Sequence, residues 1–285
     1  METTYFFPLP TAGFRVVAAA TAAACGRWPK LRGPPPPHPG PPEPWDLLLD
    51  GLVTTFAEGY EAGAPGLRRA VEAFRDLETH AGTTSDSESR RWLWHASRTA
   101  TALFDDEAVH ALAARHVRLA RETGALSALP AALLFQSVTL VLSGEFARAA
   151  EQTEIAAATN AVPLLHAQLI LAAWRGRPDE TAHIHATMVR EAAGREHDTE
   201  VTLAQYALAV LHNGLGDYPA AQEAAARAFE SDEINHSNLA HSELIEAACR
   251  AGQPEHAADA LEQLSLRARA SGTSWRSGWK HTRAP

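Results

Sequence analysis

The sequence holds fourteen histidines, so metal binding and acid–base chemistry are the first activities to test. His183 and His185 stand two apart, a spacing that turns side chains to different sides of a helix. No Glu-x-x-His or His-Glu-x-x-His frame surrounds them, and no zinc site is expected. His110 and His116 share a segment with Val109, Leu112 and Ala113, where one should be solvated and the other packed near an apolar seam. Carboxylates gather at Asp105, Asp106 and Glu107 and again at Asp232 and Glu233. Both groups fall at breaks between helical segments. Acids are favoured there by the helix dipole and by first-turn amides that need acceptors. A carboxylate-pair hydrolase also needs a cleft, and nothing in these segments supplies one.

Nucleotide and nucleophile chemistry fare no better. A phosphate-binding loop needs Gly, four residues, Gly, Lys and Ser or Thr, so that amides wrap the phosphates while lysine neutralises them. Gly272 to Lys280 is the stretch nearest to that pattern, but its spacing is wrong and Trp279 stands before Lys280. There is no Gly-x-Ser-x-Gly elbow, Cys-x-x-Cys pair or recognition-helix motif. The remaining candidates are aromatic. Trp92 and Trp94 on one helix, with Trp174 at the end of another, could form a ligand-stacking surface; the competing reading is packing between neighbouring helix pairs. No catalytic, cofactor-binding or metal-binding residue is assigned, and the chain is expected to bind rather than catalyse.

Those tryptophans must be held by helices. Leu93, Ala96, Ala100 and Leu103 recur at helical spacing, as do Leu165, Leu169 and Ala172, and Ala204, Leu208, Leu211 and Leu215. Each set lines one face of a helix and predicts a buried seam. A longer period overlies this one. Gly144-Glu145-Phe146-Ala147, Gly176-Arg177-Pro178-Asp179, Gly216-Asp217-Tyr218-Pro219 and Gly252-Gln253-Pro254-Glu255 each follow an apolar helix and open another. Such a glycine can end a helix in the left-handed conformation, and proline is tolerated where the next one begins. The interval, roughly 32–40 residues, is that of a two-helix repeat. Five places beyond each glycine stand the small residues Ala149, Thr181, Ala221 and Ala257, as close packing within a helical hairpin requires. Weaker versions at Gly63-Ala64-Pro65-Gly66 and Phe104-Asp105-Asp106-Glu107 extend the series. The expected fold is all-α, a tetratricopeptide-like solenoid of about six antiparallel helix pairs over residues 45–271.

Residues 1–44 end in a proline-rich run, Pro34 to Pro44, and read as a poorly ordered segment followed by an extended linker. Residues 272–285 read as a disordered tail. Hydrophobic residues make up 46% of the chain and charged ones 21%, enough for a sizeable core. The 25 basic residues against 34 acidic ones give a net charge of −9, which opposes direct binding to nucleic acid. No apolar run is long enough for a membrane span. Val16 to Ala24 before Cys25 is mostly alanine with Arg15 as its flanking cation, a poor export signal. With only Cys25 and Cys249, a reducing, cytoplasmic setting fits.

Several stretches resemble the helical-repeat middle segment of large actinobacterial transcriptional regulators of the LuxR family. They include Leu47-Leu48-Leu49-Asp50-Gly51-Leu52, Arg91-Trp92-Leu93-Trp94, Leu171-Ala172-Ala173-Trp174-Arg175-Gly176, His212-Asn213-Gly214-Leu215-Gly216-Asp217-Tyr218 and Arg269-Ala270-Ser271-Gly272-Thr273-Ser274-Trp275. The resemblance implies a sensor or scaffold that binds a protein or a small inducer. The ATPase and helix-turn-helix parts of that family match nothing here, so the simplest account is a truncated or frame-shifted relative. The alternative is a free-standing tetratricopeptide-like adaptor for protein–protein interaction. No polar capping helix follows Ala270, so self-association through an uncovered C-terminal repeat is expected.

Overall fold

Alanine is the best helix former and the smallest side chain that still has a Cβ, so alanine-rich seams make helices that can also approach closely. In the computed structural model, which describes residues 42–77, 84–125, 128–157, 165–192, 198–230 and 237–273, the described residues form helices and no strand. The helices are α1 (Pro44–Glu58), α2 (Tyr60–Asp76), α3 (Thr84–Ala102), α4 (Asp106–Glu122), α5 (Leu129–Leu142) and α6 (Phe146–Ala157). They continue as α7 (His166–Trp174), α8 (Pro178–Ala192), α9 (Asp198–Leu215), α10 (Tyr218–Glu230), α11 (Ser237–Arg250) and α12 (Ala258–Ser271), the last preceded by a 3-10 turn at Pro254–Ala257. Most of the N-terminal linker and C-terminal tail expected from sequence lies outside the described residues. At the inner edge of that linker, Pro44 is already helical, at the start of α1, where Glu43 and Asp46 cap each other's backbone amides.

The predicted glycine stops operate as expected. Gly144 has φ 78°; its amide donates to Val141 O at 2.9 Å and the next amide, Glu145, to Leu140 O at 2.8 Å. This Schellman closure needs the left-handed backbone that glycine adopts without a Cβ clash. It recurs where Arg177, Asp217 and Gln253 donate to Ala172, His212 and Ala248. Asp105 closes the same way on Ala100, with Phe104 itself in the left-handed region at φ 55°. Ala149, Thr181, Ala221 and Ala257 are all buried. One break was misplaced by the sequence reading: α2 begins at Tyr60 and runs through Gly63, Pro65 and Gly66. Gly63 serves helix contact instead, since a Cβ there would strike the Thr55 side chain and lie 2.7 Å from its amide nitrogen.

The contacts divide the chain into two compact units, with dividing points inside α4 and α12. In the unit spanning Ala113–Leu264, α5 packs on α6 and α7, α7 on α8 and α9, and α9 on α10 and α11. Its largest described core joins Leu140, Val141, Leu169, Ile170, Leu203, Tyr206, Ala207 and Leu211. Leu215, placed on the buried seam by periodicity, is instead 53% exposed, because α9 ends there and its last turn extends past the neighbouring core.

The other unit comprises residues 42–112 together with 265–273. Here α1 packs along α2 and both touch α3. Leu93, Ala96, Ala100 and Leu103 form the predicted buried seam. The Tyr60 hydroxyl donates to Ala102 O at 2.7 Å, Arg68 Nη1 donates to Ser271 O at 3.1 Å, and the Arg267 guanidinium lies 5.6 Å from the Tyr60 ring centroid. Ala268 and Ser271 are buried. Among the described residues, the last turn of α12, where an uncovered seam was expected, is held by α2 through a partner 203 residues away in sequence, which local periodicity does not reveal.

Candidate functional site

Two carboxylates of the first acidic group have partners within the fold. Asp105 accepts from the Ala108 amide at 3.0 Å and so caps α4, while Glu107 pairs with Arg75 at 2.6 Å. Asp232 and Glu233 lie outside the described residues. His110 is exposed and His116 is buried, as expected. Burial alone pushes His116 down to about 4, which keeps it neutral at physiological pH. Among the described residues no group of three potential ligands is placed to hold a metal, and no helix is long and apolar enough to cross a membrane.

The three candidate tryptophans do not share one setting. Trp92 and Trp94 are half-buried on α3, in the unit of residues 42–112 and 265–273. Trp92 meets His95 on its own helix, ring centroids 5.6 Å apart and tilted by 53°. Burial and then the Arg98 charge lower His95 to about 4, so the ring beside Trp92 is neutral. The adjacent Ser97 hydroxyl is buried and donates to Leu93 O at 2.8 Å.

Trp174 closes α7 in the unit Ala113–Leu264 and is 42% exposed. Its side chain hydrogen-bonds that of Tyr206 on α9, and Tyr206 is almost wholly buried. Burial and the nearby Glu243 charge push the Tyr206 phenol upward, so it stays protonated. Seven residues further along α9, on the same face, stands Asn213. Its Nδ2 donates to Glu243 Oε2 at 2.9 Å and to Glu243 O at 3.1 Å, reaching across to α11. Asn213 Oδ1 is buried with no hydrogen-bond partner. Glu243 is half-buried; burial raises its carboxyl above the usual range, the Asn213 bond opposes that rise, and Glu246 adds to it.

The arginine of α11, Arg250, is engaged elsewhere. Its Nε pairs with Glu246 at 2.9 Å, Nη1 approaches the Tyr218 hydroxyl at 3.4 Å, and its guanidinium lies over the Tyr218 ring. Among the described residues no ion pair reaches Glu243. The result is a line of aromatic and acceptor groups on α7, α9 and α11, with Trp174 at its exposed end. Sequence reading singled out Trp174 and did not name Tyr206, Asn213 or Glu243. A half-buried carboxylate is visible only after α9 and α11 are placed side by side, although the seven-residue spacing of Tyr206 and Asn213 was available beforehand.

No family model matches this chain, and no curated protein matches it.

Proposed function

We propose that this chain is a non-catalytic helical-repeat sensor or scaffold segment, of the kind the LuxR-family resemblance implies, that binds a protein or a small inducer in the cytoplasm. The observation that carries this reading is the alignment of Trp174, Tyr206, Asn213 and Glu243 across α7, α9 and α11. It combines an exposed aromatic ring on α7 with the buried Tyr206 phenol and half-buried polar side chains on α9 and α11, a composition that suits a recognition surface. The net charge of −9 supports partners other than nucleic acid.

A second reading, a tetratricopeptide-like adaptor for protein–protein interaction, draws support from the buried last turns of α12. A covered seam fits an array that docks partners along its length rather than through its end. The test is a pull-down from native lysate with wild-type chain and Trp174→Ala, after circular dichroism has shown both to melt cooperatively. A specific protein retained by the wild type and lost by the variant supports binding at this surface. Retention of the same proteins by both variants would place recognition elsewhere, and turnover of a substrate by the purified chain would end the non-catalytic reading.

A further inference from the structure

Helix α1 has two apolar faces, and the described helices cover one of them. Leu48, Gly51 and Thr55 are buried, and this face meets α2, where a Cβ on Gly51 would strike Leu67. Trp45, Leu49, Val53 and Phe56 follow one another at intervals of four, four and three residues, which gathers them on a second face. Trp45 and Val53 are half-buried, while Leu49 is 49% and Phe56 41% exposed. Among the described helices α1 packs along α2 and touches α3, and neither contact closes over Leu49.

One border of that stripe is acidic. Asp46 and Asp50 stand one residue beyond Trp45 and Leu49, and with Glu58 they are the charged groups of α1. Among the described residues no ion pair reaches them. A second copy is therefore a poor cover, because a symmetric contact would set these carboxylates against their equals. The residues just before α1 have the opposite character. Residues 1–41 hold Arg15, Arg27, Lys30 and Arg32 against Glu2 alone, in a chain whose net charge is −9. Their larger apolar side chains gather at Tyr5-Phe6-Phe7, at Phe14-Arg15-Val16-Val17 and at Trp28. The tether is also long enough. From Trp45 to Phe56 the stripe runs about 17 Å at the helical rise, and Gly33 to Glu43 span about 34 Å when extended. Such a tether holds the segment at an effective concentration on the order of millimolar.

We propose that the stripe of Trp45, Leu49, Val53 and Phe56 is a docking face for this chain's own residues 5–32, whose apolar side chains cover it while their basic neighbours meet Asp46 and Asp50. The face is then a self-occupied interaction surface. An outside partner reaches it only by displacing the tethered segment.

The test is hydroxyl-radical footprinting of the purified full chain, with side-chain oxidation read by mass spectrometry. Trp45 and Leu49 report on the stripe, and Leu215, 53% exposed on α9, is the reference. In the wild type Trp45 and Leu49 should oxidise about threefold more slowly than in the double variant Phe14→Glu/Val17→Glu, with Leu215 unchanged. Arg15→Glu/Arg27→Glu should remove about half of that protection, and raising the salt to about 0.5 M should do the same in the wild type. These substitutions lie outside the described helices, and matching thermal melts would show the helical core intact. Leu49→Glu, on the stripe itself, should in turn raise oxidation of Phe14 about threefold. The proposal is overturned if Trp45 and Leu49 oxidise equally in the wild type and in Phe14→Glu/Val17→Glu, or if Phe14 is indifferent to Leu49→Glu. Protection that disappears on about tenfold dilution would assign the face to a second copy and overturn it as well.

Discussion

The α3 tryptophans and Trp174 are the same residue type in opposite settings. On α3 the indoles flank Leu93 and lie half-buried, the neighbouring imidazole is neutral, and Ser97 returns its hydroxyl to its own helix. At the end of α7 the indole is more open, and its hydrogen-bond partner, Tyr206, comes from α9. Mid-helix placement beside a seam makes a tryptophan part of the packing. Placement at a helix end leaves the ring exposed, with a polar partner supplied by the next helix.

Substitution at the α3 seam should have the largest effect. Leu93, almost wholly buried, becomes a cavity in Leu93→Ala, and urea denaturation should show a loss of about 3 kcal/mol. A loss below about 1 kcal/mol would mean that the α3 region is not tightly packed, and the contrast with Trp174 would weaken.

Acid should act next, through neutral buried histidines. His95 and His116, held at about 4, bind fewer protons folded than unfolded once pH drops below about 6.5. Stability should fall as pH goes from about 6.5 to about 4, by up to about 3 kcal/mol for each histidine. His95→Gln should flatten part of that slope in thermal melts taken across this range. Glu243 works in the opposite direction: its carboxyl is raised, so the folded state binds the extra proton above the unfolded pKa and gains stability as pH falls through the folded value. An unchanged acid slope in His95→Gln would show that the imidazole beside Trp92 is already solvated.

Removing the Tyr206 hydroxyl, which is paired with the Trp174 side chain, should cost about 1 kcal/mol, the worth of an ordinary hydrogen bond. Tyr206→Phe measured by chemical denaturation tests this, and a loss beyond about 3 kcal/mol would make the α7 end as structural as α3. The smallest effect belongs to Glu243→Gln, which removes a half-buried charge and keeps an acceptor for Asn213. Its melting temperature should stay level or rise slightly, by up to about 1 kcal/mol of stability. A clear drop would reveal that the ionised carboxylate contributes to holding α9 and α11 together.

Much of this architecture is readable from local chemistry. Gly144, Gly176, Gly216 and Gly252 predicted left-handed helix stops, and the small residues after them predicted close hairpin packing, because both requirements act within a few residues. The seam Leu93, Ala96, Ala100 and Leu103 follows from helical periodicity for the same reason. Gly63 misled, since glycine marks either a break or a close approach, and only the presence of α1 against α2 decides between them.

The sequence by itself therefore determined the helices, their ends and the small-residue contacts within hairpins, all set by backbone sterics and hydrogen bonds over short range. Only the tertiary structure decided which polar side chains share an environment. It brought Arg68 to Ser271, Tyr206 to Trp174 and Asn213 to Glu243. Burial, charge balance and unpaired acceptors depend on neighbours distant in the chain, and no local pattern encodes them.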